Sequence, residues 1–472
     1  MVLRSPSHAC ELPCLYSLSE SEAFITSDLT LARKLRSYRR RIDYESIIHR
    51  LIYPDVRISR TALMGISELL PGQAMHLHDG GSDVSQEWTP WDHVAPDVRF
   101  ATIDEAVTAV RGGVEMAVKT LADRDRRVLL ELSGGLDSSI VGTCLQRSNA
   151  KLDCATFTAT APGADEQDYA IEIARVLGVE LLQAELRFED AQIEFGVPPA
   201  LASPSVGPLQ YAIDRLMQSS ATQCGAESFF SGAGGDSIFG YLTSAAPAVD
   251  AFRAAGLRAG FRAIRDISTF HQCTYWKASR FALRKALRRN PPFKPDLSLL
   301  PPGLQAPQPD LNPWLVPPPN TLPGDRRRIF EICAAQGFQE SALRSFTRPI
   351  RMPLLSQPVV ETCLRVPSWM WFEGGQNRAV ARLAFADLLP SKVSARRSKG
   401  SLTAYLGAVH RRKKHEITNF LVGGALHAQG LVDADALRCL EAREQFSDDT
   451  LFMRLFQLCA IENWVRQQAH HH

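Results

Sequence analysis

Apolar positions recur along this chain in two alternating rhythms. After Thr102 the spacing is helical, with Val107, Val110, Val114, Ala117, Val118 and Leu121 on one face. Thr102-Ile103-Asp104-Glu105 just ahead has the spacing of a capping box. Val128 to Leu132 is then almost continuously apolar, as a strand buried on both faces is. It runs into a glycine-bearing loop and a helix predicted from about Ser138. Cys154 to Thr158 reads as a second strand, Asp168 to Leu177 as a helix, Val179 to Leu186 as a third strand and Ser228 to Phe230 as a fourth, again ending in glycines. Strands alternating with helices predict a mostly parallel α/β sheet.

The flanking regions follow other patterns. Residues 1–95 read as one unit: a strand at Ala23–Thr26, a helix from Arg33 to Leu51, and strands from Gly65 to His78 around the turn Pro71-Gly72. Asp79-Gly80-Gly81 closes that stretch with a hairpin-type turn signal. A second unit spans 96–469. Within it, residues 250–290 are helical and hold ten Lys/Arg with, beyond Asp250 itself, a single acidic residue, Asp266. Such a stretch is a solvated helix face or a surface for a peptide or phosphate. Residues 291–323 hold 12 of the 29 prolines, which excludes a helix or central strand and predicts a covering loop or linker. From Arg328 onward the pattern is again mostly helical, and no internal repeat is visible.

Composition narrows the class. Of 472 residues, 45% are hydrophobic, and 53 Lys+Arg balance 51 Asp+Glu to a formal charge of +2. Such a chain is an ordinary globular protein with no whole-molecule attraction to nucleic acid. No apolar run reaches the roughly 18–20 residues of a membrane span, and the first residues lack the apolar core of a signal peptide. The ten cysteines are scattered from Cys10 to Cys459, and only Cys10 and Cys14 lie close together. That spacing suits a reduced cytoplasmic enzyme better than a zinc site or a disulfide framework. His470, His471 and His472 read as the remnant of a purification tag.

Two loops carry the chemistry. Ser133-Gly134-Gly135-Leu136-Asp137-Ser138-Ser139 lies between a predicted strand and a predicted helix. Its glycines let backbone amides approach an anion, its hydroxyls add donors, and a helix N-terminus adds its positive dipole end. No Gly-Lys-Ser/Thr follows, so it is not a Walker loop. Asp137 repels a bare phosphate but suits a phosphate that brings Mg²⁺, so a metal-bound triphosphate is the expected ligand. A second loop, Ser231-Gly232-Ala233-Gly234-Gly235-Asp236, also follows a predicted strand. In a parallel sheet both loops emerge at the carboxyl edge, where Asp137 and Asp236 are placed to share one Mg²⁺.

The first loop resembles the pyrophosphate loop of the N-type ATP pyrophosphatases. The order of that loop, Thr156-Phe157-Thr158, Asp165-Glu166 with Tyr169-Ala170, and the second loop continuing to Tyr241 resembles the synthetase domain of asparagine synthetase B, from about residue 98 to 410. The resemblance implies adenylation: a carboxylate attacks the α-phosphate of ATP, and an amine then displaces AMP. It also implies that Asp137 and Asp236 hold the metal and that Thr156 and Phe157 hold adenine through the backbone. Leu389-Pro390, Val393, Arg396 and Ser398-Lys399-Gly400 resemble the family's LP…V…R…K segment, which makes Lys399 the catalytic lysine.

The same comparison marks departures. The glutaminase nucleophile of asparagine synthetase B is a cysteine directly after the initiator Met, where this chain has Val2. Ile25–Asp28 and Gly65–Gly72 resemble the latter half of that domain, so a truncated, inactive glutaminase-like α+β domain is expected over 1–95. The asparagine synthetases carry Glu, and β-lactam synthetase Tyr, at the position of Ala233. Met352–Pro358, Val366–Trp369, Gly374–Arg378 and Arg397-Ser398-Lys399-Gly400 are similar to lasso peptide cyclases. Those enzymes adenylate an Asp or Glu side chain of a core peptide, whose own N-terminal amine closes the ring. The resemblance implies a precursor peptide, a leader-recognition protein and a leader peptidase as partners. The alternatives are an amidotransferase that uses free ammonia and an inactive ATP-binding scaffold.

Overall fold

The computed structural model describes residues 2–4, 12–18, 23–32, 35, 39–79, 81–159, 167–287, 291, 293–340, 342–396, 402–443 and 451–469. Its centre is a five-stranded parallel sheet. Six short strands precede it: β1 (Val2–Arg4), β2 (Leu15–Leu18), β3 (Ala23–Thr26), β4 (Ser67–Glu68), β5 (Gln73–His78) and β6 (Gly81–Gln86). They pair antiparallel as two small sheets, β1-β5-β6 and β3-β2-β4. β5 and β6 pair as expected for a hairpin around Asp79, with His78 opposite Gly81, while Gly80 lies outside the described residues. Of the helix expected over 33–51, residues 39–43 are not helical and the described helix runs Tyr44–Ile52, while residues 33, 34 and 36–38 lie outside the described residues. Asp43 stops it from starting earlier, because its extended backbone and carboxylate cap the amides of Glu45 and Ser46.

The capping box at Thr102 forms as the spacing predicts, and the helix Ile103–Ala122 buries Val110, Val114, Ala117 and Val118. The sheet strands are β7 (Arg127–Glu131), β8 (Lys151–Ala159), β9 (Leu181–Leu186), β10 (Ser228–Ser231) and β11 (Ile350–Arg351), in the order β11-β10-β7-β8-β9. β7 and β10 are neighbours, with Glu131 opposite Ser231. The two glycine loops therefore leave adjacent strands at the same edge.

The remaining segments close over this sheet. The helices Ala246–Ala254, Gly256–Phe270 and Tyr275–Leu287 form a small lobe with its own core around Val249, Ile264 and Ile267. The last of them turns its small residues inward: Ala278 and Ala282 are buried, while Trp276 is 84% exposed and Leu283 and Leu287 are exposed as well. Lys277, Arg280 and Arg284 are exposed along the same helix. The proline-rich stretch is a cover rather than a linker, since Leu300, Trp314 and Leu315 are buried in the main core. Cores of the first unit and of the sheet domain are continuous, from Ile47 and Leu51 to Leu129 and Trp464. Polar contacts cross the same boundary: Tyr53 Oη donates to the carbonyl of Pro307 at 3.0 Å, and the amide of Ala62 to that of Ala202 at 3.1 Å.

Candidate active site

The loop after β7 turns at Gly134, whose φ of +72° suits a residue without Cβ. A Cβ there would meet the backbone nitrogen of Ala170 at 2.5 Å, so this glycine is also demanded by close packing. The helix Leu136–Leu145 follows with Gly135 as its N-cap and no side-chain cap. Its first-turn amides thus lack a side-chain acceptor and are a ready site for an anion. Ser133 Oγ lies 3.1 Å from Ser138 Oγ and accepts the amide of Gly135 at 3.2 Å, which shapes the turn. Ser139 is fully buried and donates its hydroxyl to the carbonyl of Gly135 at 2.7 Å. It thus stands behind the loop rather than in the wall of the cavity described below.

The second loop presses on the first. A Cβ on Gly232 would meet the backbone nitrogen of Ser138 at 2.5 Å, and one on Gly235 would collide with the carboxyl group of Asp137. Gly234, at φ +83°, leaves room for the side chain of Leu355. That leucine belongs to the Met352–Pro358 stretch, so part of the stretch serves to back the loop.

Between the loops lies a cavity of about 330 Å³. Its wall includes Ser133, Gly135, Asp137, Ser138, Gly232, Gly234, Gly235 and Asp236 from the predicted set, together with Glu131, Arg378, Arg382 and Arg396. Gly134, Ser139, Thr156 and Phe157 are not in that wall. Thr156 is 3% exposed on β8, where the ladder to β7 ends at Ala155 while the ladder to β9 continues to Ala159. Beyond Ala155, β8 thus faces the loop side without a β7 partner. Lys399 and the pair Asp165-Glu166 lie outside the described residues.

Asp137 and Asp236 converge on one cation. Nη1 of Arg378 donates to both oxygens of Asp137, at 3.1 and 3.0 Å, and to Oδ1 of Asp236 at 2.9 Å. The arginine side chain is only 9% exposed, and the carboxylates are 16% and 30% exposed. Its Nε has no hydrogen-bond partner among the described residues. Two hard carboxylate donors that already share one positive centre suit a divalent cation whose other ligands are phosphate oxygens and water. Among the described residues no group of three His, Cys, Asp or Glu gathers to hold a metal by protein ligands alone.

Three arginines in the wall favour a polyanion. Arg382 donates to the carbonyls of Asn377 and Arg396, each at 2.8 Å, and to that of Ser394, fastening the segment that leads toward Lys399. Its guanidinium is pushed down to about 10 by burial and by neighbouring Arg378, which leaves it charged at neutral pH. Arg396 stacks over the ring of Tyr169 at 4.0 Å, the residue that backs Gly134. The wall therefore combines two glycine loops, an uncapped helix start, paired carboxylates and clustered guanidinium groups.

The asparagine synthase family model matches residues 109–466. The chain belongs to the asparagine synthase family. As an asparagine synthase family member it is an ATP-dependent amide-forming ligase, and the matched span holds both loops and all three arginines. No curated protein matches the chain. No helix of the described residues is long and apolar enough to cross a membrane.

Sequence reasoning missed Arg378 and Glu131 as parts of this family member's site. Arg378 was visible only as one letter of the Gly374–Arg378 resemblance, and nothing local ties it to Asp137, 241 residues earlier. Glu131 did carry a signal, a charge set between Leu130 and Leu132 in a predicted apolar strand.

Proposed function

We propose that the chain is a lasso-type peptide cyclase. It adenylates an Asp or Glu side chain of a core peptide with release of pyrophosphate, and the peptide's N-terminal amine then displaces AMP to form a macrolactam. The observation that carries this reading is the meeting of Asp137 and Asp236, from two interlocked glycine loops, on a single positive centre inside one cavity. Bound there, Mg²⁺ supplies charge neutralisation of the triphosphate. The amides at Gly135 to Ser138 take the pyrophosphate, and the open edge of β8 at Thr156 and Phe157 takes adenine. Lys399 stabilises the negative charge that develops on the acyl oxygen and phosphate as the amine attacks.

The amine comes from the peptide rather than from glutamine. Cys14 is half-buried with its thiol pushed up by burial first and by Glu68 second, which makes it a poor nucleophile. A leader-bearing precursor, a leader-recognition protein and a leader peptidase complete the system, in the cytoplasm.

ATP–pyrophosphate exchange with and without the cognate precursor and its processing proteins tests the reading. Exchange should depend on Mg²⁺ and be abolished in Asp137→Ala and Asp236→Ala. Lys399→Ala should retain exchange while product formation falls by about 10²–10³-fold. The wild-type product should be the precursor's core minus one water, and an acetylated N-terminus should block ring closure. A peptide that stays linear while free aspartate and ammonia become asparagine overturns the cyclase reading.

A further inference from the structure

β7 is the middle strand of the sheet, yet it ends in a charge. Val128, Leu129 and Leu130 are fully buried, and Glu131 follows with its side chain 27% exposed toward the cavity it lines. A carboxylate so placed has lost much of its water and must be held by a partner. That partner is Arg344, itself 3% exposed: Nη2 donates to Glu131 Oε2, and Nη1 lies 3.2 Å from Oδ1 of Asp214. The ring of Phe229 lies 5.4 Å from the guanidinium carbon. Asp214 is fixed in turn, with Gln210 Nε2 donating to it at 2.9 Å and the amide of Leu343 at 2.5 Å. One buried guanidinium thus anchors Glu131 from behind. The arrangement fixes Oε2 and leaves Oε1 with no hydrogen bond from any described residue.

The other two carboxylates in the cavity wall, Asp137 and Asp236, are engaged by Arg378 and, in the proposed reaction, by the metal. Among the described residues, Glu131 is the third and last acidic residue of that wall. Its strand neighbour Ser231 stands two residues before Ala233, whose methyl group adds no competing acid or base.

We propose that Oε1 of Glu131 is the binding point and proton acceptor for the attacking primary amine. This rests on the amide-forming reading of the same cavity. The ammonium donates to Oε1 and passes it one proton, and its freed electron pair attacks the acyl carbon. The C–N bond forms, the bond from the acyl carbon to the AMP oxygen breaks, and the second amine proton goes to solvent as AMP departs. Arg344 is a positioning residue that keeps Oε1 turned to the cavity.

Glu131→Gln tests this, because an amide side chain still accepts from Arg344 but takes no proton. ATP–pyrophosphate exchange should change by less than about threefold, while amide formation falls by about 10²-fold or more. The defect should shrink between pH 7 and pH 9, since a peptide α-amine with a pKa near 8 then deprotonates in solution. Hydroxylamine, neutral at pH 7, should still trap the activated carboxylate in the variant. Glu131→Asp should keep part of the amide-forming rate. Equal losses in exchange and amide formation, or a loss that ignores pH and hydroxylamine, would make Glu131 structural and overturn the proposal, as would full activity of Glu131→Gln. Should the wild type use ammonium chloride in place of the peptide amine, the cyclase reading fails, and the same comparisons made with ammonia still decide the role of Glu131.

Discussion

Arg378 sits in a left-handed backbone conformation, φ +57° and ψ +38°. For a residue with a Cβ this costs roughly 1–2 kcal/mol. The cost is offset by what the conformation achieves, because it aims one buried guanidinium between two carboxylates that otherwise repel. Removing the charge should leave that repulsion unscreened. Arg378→Gln is therefore expected to lose on the order of 1–3 kcal/mol of stability. Millimolar Mg²⁺ should raise its melting temperature more than that of the wild type, since the metal then becomes the shared counter-ion. Thermal melts of both proteins with and without Mg²⁺ check this, and identical responses would show that Arg378 does not balance the pair. At this scale the sequence was legible wherever backbone geometry restricts residue choice. Gly134, Gly232 and Gly235 announce close approaches that no Cβ survives. Charged partners met across hundreds of residues leave no such mark, which is why Arg378 and Arg344 were not foreseen.

At the scale of elements, a buried carboxylate ties three segments together. Asp250, on the helix Ala246–Ala254, accepts the amide of Gly324 at 3.0 Å and the hydroxyl of Ser368 at 2.6 Å. Burial first, and the charge of nearby Asp325 second, push its carboxyl up to about 7. A folded-state value raised above the unfolded one means that the native protein holds the extra proton between about pH 4 and pH 7. The associated stability is therefore full below about pH 4 and lost as pH rises through 7. Asp250→Asn, which mimics the protonated form, should gain on the wild type as pH goes from 6 to 8.5. Melting curves across that range measure it, and parallel curves would exclude a titrating Asp250. Elements were readable where local pattern suffices: the capping box at Thr102, the four apolar strands and the hairpin at Asp79. β11 was not, because two residues that owe their strand state to pairing with Phe229 and Phe230 carry no periodicity. The expected helix fails over residues 39–43 because apolar spacing ignores the cap that Asp43 provides.

Across the whole molecule, one hydrophobic core joins parts that composition separates. Alternating strands and helices forecast the parallel sheet, but nothing in the proline-rich stretch says that Trp314 will be buried in that core. Nor does a run of arginines reveal which side of its helix meets the protein. The helix Tyr275–Leu287 packs on its alanines and shows water Trp276, Leu283 and Leu287 among exposed cations. Like charges on such faces keep separate molecules apart while their field reaches far enough. The screening length is about 30 Å at 0.01 M salt and about 3 Å at 1 M. Added salt therefore removes the repulsion and spares the apolar contacts. The protein's solubility is expected to fall as ionic strength rises, with light scattering reporting growing attraction between copies. A Trp276→Ser, Leu283→Ser double variant should flatten that response, and an unchanged response would acquit the helix. The practical consequence is that concentrated stocks of this protein should keep best in dilute buffer, the reverse of what a chain of near-zero net charge would suggest.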